Sequence, residues 1–85
     1  MGDIGMKNTE LIDKLLLFKD KAFCHHSHYK AGQIWREIKY YIPEPYNFKI
    51  FVEWSHVQLG HGFNQACLAL DDEIKGFIKT IKWPF

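Results

Sequence analysis

Apolar residues recur along the first quarter of the chain at helical spacing. Leu11, Leu15, Phe18 and Ala22 follow one another at intervals of four, three and four, and Ile12, Leu16 and Phe23 widen the stripe while Leu17 sits off it. Asn8 or Thr9 suits the start as a cap, Glu10 suits the first turn, and Lys14, Lys19, Asp20 and Lys21 take the wet side. After the loop Cys24-His25-His26-Ser27-His28, with Ser27 as a candidate cap, a second helical stripe runs through Ala31, Ile34, Trp35, Ile38, Tyr41 and Ile42. Pro43 ends it, because the residue before a proline is pushed out of helical geometry. The short connection predicts that the two helices pack antiparallel as a helical hairpin.

The period then changes. Tyr46, Phe48, Ile50, Val52 and Trp54 alternate with Asn47, Lys49, Phe51, Glu53 and Ser55, which predicts a strand over residues 47–57. Gly60-His61-Gly62 reads as a turn. Asp71-Asp72-Glu73 has the chemistry of a helix start, with Lys79 and Lys82 near the end, so residues 63–70 are left to form a second strand that satisfies the backbone groups of the first. The expected fold is therefore α+β: a helical hairpin, a short antiparallel β-hairpin and a C-terminal helix. The alternative is an all-α antiparallel four-helix bundle, in which residues 45–59 are helical with Ile50, Trp54 and Val57 on one stripe and Phe48, Phe51, Val52 and Leu59 on another. Either way the chain reads as a single domain over residues 1–85, with residues 1–7 a loose N-terminal segment.

Composition narrows the function classes. The 85 residues are 47% hydrophobic and 25% charged, as in ordinary globular domains, and the net charge of +1 lacks the basic excess of a protein built to hold phosphate backbones. Two cysteines are too few for a disulfide scaffold, and Cys24 and Cys67 are read as reduced thiols of a cytoplasmic protein. The first six residues lack the basic-then-apolar pattern of a signal peptide, and apolar runs such as residues 15–18 are far short of a membrane span, so no membrane partner is expected. No nucleophile elbow, phosphate-binding loop, dinucleotide fingerprint or zinc-protease motif is present. The expectation is a non-catalytic protein without a cofactor.

Candidate chemistry comes down to three groups of side chains. His25, His26 and His28 beside Cys24 offer ligands that suit zinc, but their spacing does not follow the usual paired-ligand patterns; a zinc-stabilised domain is one alternative. Lys75, Lys79 and Lys82 share a helix face next to Trp83, which makes a nucleic-acid-associated module another. The third group is the rings. Three Trp, four Tyr and seven Phe exceed what one small core hides, and Trp83, Phe85, Phe51 and Tyr40 are the surplus expected to anchor a partner. An open edge strand would add strand pairing as a second route to a partner or a second copy. The leading expectation is a small protein-binding module that acts sterically as an inhibitor or adaptor, like the small inhibitors and antidotes of phages, plasmids and bacteria in size alone. A Trp-bearing helix followed by a strand ending in Val52-Glu53-Trp54 resembles part of the barstar-type inhibitors; the likeness spans those two elements and implies no residue roles.

Overall fold

The computed structural model describes residues 6–24, 27–60 and 62–82, without the side chain of Lys82. Among them the chain forms four α-helices and one 3-10 turn: α1 (Asn8–Ala22), α2 (His28–Ile38), the turn Lys39–Tyr41, α3 (Tyr46–Leu59) and α4 (Phe63–Lys82). The α+β expectation is thus overturned, and the four-helix alternative describes the molecule. No strand occurs among the described residues, so both the strand-pairing route and the likeness to barstar-type inhibitors, which rested on a strand at 47–57, fall with it.

α1 and α2 form one antiparallel hairpin and α3 and α4 the other, and α1 crosses from its own hairpin onto α4 and α3. Leu11, Leu15, Phe18 and Ala22 are buried on α1, and Ala31, Trp35 and Ile38 on α2. Asn8 and Thr9 lie inside α1 instead of capping it: Lys7 holds the cap position. Ser27 does precede α2, but its hydroxyl makes no capping bond. Ile42 is extended before Pro43, as the proline demands, and its side chain is buried.

α3 replaces the expected first strand for a geometric reason. Residues two apart on a helix lie about 200° apart, so an alternating pattern places its members on opposite faces. Tyr46, Ile50, Trp54 and Val57 turn inward, and Phe48, Val52 and Leu59 turn outward, so two helical stripes interleave and imitate a period of two. Both ends of α3 are specified locally. The Phe48 N–H donates to the Glu44 carboxylate at 2.9 Å and the Asn47 N–H to the Pro43 carbonyl at 3.0 Å, which satisfies first-turn donors. The Asn47 side-chain amide donates to the Lys39 and Ile42 carbonyls at 2.8 and 3.0 Å and so ties α3 to the turn before it. Gly60 ends the helix at φ 76°, where its N–H donates to the His56 and Val57 carbonyls; this left-handed position favours glycine.

α4 begins at Phe63 and runs straight through Asp71-Asp72-Glu73, which therefore do not start a helix. Asp71 is held inside the helix by two cations, Lys19 from α1 at 2.8 Å and Lys75 one turn on at 2.8 Å. Ala66, Leu70, Ile74 and Phe77 form its buried stripe. The two hairpins meet at an aromatic joint: the fully buried Phe18 ring lies 5.5 Å from that of Trp35 and 5.3 Å, edge-on, from that of Trp54. Phe18→Ala opens a cavity between the hairpins and is expected to cost about 3–5 kcal/mol. Urea unfolding followed by circular dichroism checks this; a loss below about 1 kcal/mol contradicts the placement of Phe18.

Candidate functional site: the outer face of helix α3

The outward stripe of α3 departs from ordinary helix design. Phe48 is 65% exposed, Phe51 46% and Leu59 67%, with Val52 half-buried between them. A helix in a two-layer bundle normally turns polar residues outward. Here the inward stripe already packs against α4 and α1, so nothing within the described chain covers the outward one. The Cα extents of 40 × 26 × 18 Å leave room for about two helix layers, and α3 forms part of one surface. Phe51 stands at the shoulder of the stripe, its ring 6.3 Å from Trp54 and nearly perpendicular to it. Ser55 sits mid-stripe, and its hydroxyl donates back to the Phe51 carbonyl at 3.0 Å, so it presents no unpaired donor to a covering surface.

The expected anchor residues do not gather in one place. Phe51 belongs to this stripe, with Phe48 and Leu59 as the companions that the leading sequence reading left out. Tyr40 is 80% exposed on the 3-10 turn, with the Lys39 ammonium 5.3 Å from its ring centre. Trp83 and Phe85 lie outside the described residues. The signal that finds Phe48 and Leu59 is the spacing of Phe48, Val52, Ser55 and Leu59, which is four, three and four.

The other candidate groups are placed as follows. Lys75 gives its charge to Asp71, Lys79 is exposed, and the Lys82 side chain and Trp83 lie outside the described residues. His25 and His26 also lie outside them; Cys24 is exposed, and His28 is half-buried at the first position of α2. No group of three or more potential metal ligands converges among the described residues. No described helix is long and apolar enough to cross a membrane.

Among the described residues, two hollows bear on the candidate chemistry. A groove of about 590 Å³ runs between the end of α1 and the start of α4, lined by Phe23, Phe63, Cys67 and Leu68 with the Lys19–Asp71 ion pair on its rim. Burial pushes the Cys67 thiol up, away from the reactive thiolate. A smaller polar hollow of about 230 Å³ holds the Glu53–His56 pair at 3.2 Å, and its described lining supplies no hydroxyl or thiol for that pair to activate.

The Asp71 carboxyl is held below the usual carboxylate range by its hydrogen bonds from Lys19 and Lys75. The lowered value means that the stabilisation is present above the unfolded-chain value of about 3.9 and is lost as pH falls through the folded value. Asp71→Asn is expected to destabilise the fold by about 1 kcal/mol at pH 7, and the gap from the unchanged protein should close on acidification below about pH 4. Unfolding midpoints of both chains across pH 2–7 read this; a gap that stays constant over the acid range contradicts it.

No protein-family model, curated protein or solved structure matches the chain.

Proposed function

We propose that this chain is a small, non-catalytic protein-binding module that acts sterically, and that the outer stripe of α3 is its docking face. The observation that carries the reading is the second apolar face of α3: Phe48, Phe51 and Leu59 are each 46–67% exposed on one side of a helix whose other side is already packed. Large rings on a fixed helix suit an interface anchor, because they offer apolar area without the cost of ordering a loop. The ends of α3 are pinned by Glu44, Asn47 and Gly60, so the stripe is presented in one orientation. The commitment of Lys75 to Asp71 lowers the positive charge of the lysine face and weighs toward a protein partner over nucleic acid.

A photo-reactive phenylalanine analogue in place of Phe51, a ring already exposed at the shoulder of the stripe, should give a covalent protein adduct on illumination in the native host, and Phe48→Ser with Leu59→Ser should abolish that adduct while leaving the helical circular dichroism signal intact. The same analogue in place of Lys30, exposed on α2, serves as the control. Equal adduct yields from positions 51 and 30, or none from 51, would defeat the proposal.

A further inference from the structure

We infer that the occupant of the α3 face is a second copy of this chain, docked α3 against α3, antiparallel, about a two-fold axis. The inference rests on the reading of the stripe as a docking face and names what docks there. The spacing of Phe48, Val52, Ser55 and Leu59 is that of a coiled-coil seam, and it reads the same from either end. A two-fold axis at its midpoint, between Val52 and Ser55, sets Phe48 against Leu59 of the partner subunit and Val52 against Ser55 of the partner subunit. Large side chains then meet at both ends, and the small Ser55, its hydroxyl already bonded to the Phe51 carbonyl, lets the helices approach at the centre. None of the four seam positions carries a charge, and the antiparallel arrangement sets opposite helix-dipole ends side by side.

The area agrees with a reversible dimer. At roughly 200 Å² for a large apolar side chain, the exposed fractions of Phe48, Phe51 and Leu59 amount to about 350 Å² per copy. Two copies bring about 700 Å², the apolar share of an interface near 1,200 Å² in total, which is the low end of specific association. The symmetric contact uses the same stripe on both copies, so it closes at two.

Sedimentation equilibrium from about 1 µM to about 500 µM tests the inference. The expected result is a mass that rises from one chain to two and stops there. Phe48→Glu and Leu59→Lys should each weaken the dimer about thirtyfold or more, with helicity retained because both positions are exposed. Mixing the two single variants should restore association, since only the antiparallel seam brings position 48 of one copy against position 59 of the other. A mass of one chain throughout the range overturns the inference, as does a dimer that survives either substitution or a mixture that stays monomeric. A photo-adduct at position 51 whose second component is a different protein would overturn it too, while leaving the docking-face reading standing.

Discussion

The packing of Phe18 between Trp35 and Trp54 is the contact on which the rest of the structure depends. It brings α1, α2 and α3 together at a single buried ring, and two helical hairpins would otherwise have little reason to share one rotation about their long axes. Trp54 commits one side of α3 to the interior, where its ring packs close to α2 at Gly32: a β-carbon there would stand in ordinary contact with it, at 3.6 Å. Once Trp54 is inward, helix geometry turns Phe48 and Leu59 outward. The exposed stripe is thus a consequence of the core, and no rotation of α3 hides both of its apolar faces within one copy.

Polar interactions refine this arrangement without creating it. Among the described residues no polar or charged side chain is buried, so the interior is held by apolar packing. The ion pairs stand at the edges between helices: Lys14 with Glu37 across α1 and α2, and Lys19 with Asp71 across α1 and α4. The second is the more sheltered, and it joins the two hairpins at the rim of the groove between α1 and α4. Such pairs set register more than they add stability. The Asn47 amide does comparable work at the bend before α3 by donating to the Lys39 and Ile42 carbonyls.

The first half of the fold was legible because α1 and α2 each have one apolar stripe, and a single stripe at helical spacing has one meaning. α3 has two, and their interleaving produced the alternation that reads as a strand. The polar residues between them, Asn47, Lys49 and Glu53, completed the imitation by falling on the helix flanks. α4 was obscured differently: Asp71-Asp72-Glu73 has the composition of a helix start, and the cation that pairs with Asp71 from another helix, Lys19, lies 52 positions away in sequence. The candidate surface was half legible. Phe51 stood out as an apolar residue on an apparently polar strand face, whereas Phe48 and Leu59 came into view as partners of Phe51 only in the four-helix alternative. The feature that misdirected the fold and the feature that marks the surface are the same, since a helix without a second apolar face would not have looked like a strand.

The account's central claim is that α3 carries two apolar faces of opposite consequence, one holding the protomer together and one not. Urea unfolding of Ile50→Ser and Phe48→Ser, each compared with the unchanged chain at about 1 µM, where association is negligible, tests it most directly. The claim predicts that Ile50→Ser costs about 3 kcal/mol or more, and that Phe48→Ser changes stability by less than about 0.5 kcal/mol. Equal losses at the two positions would contradict it.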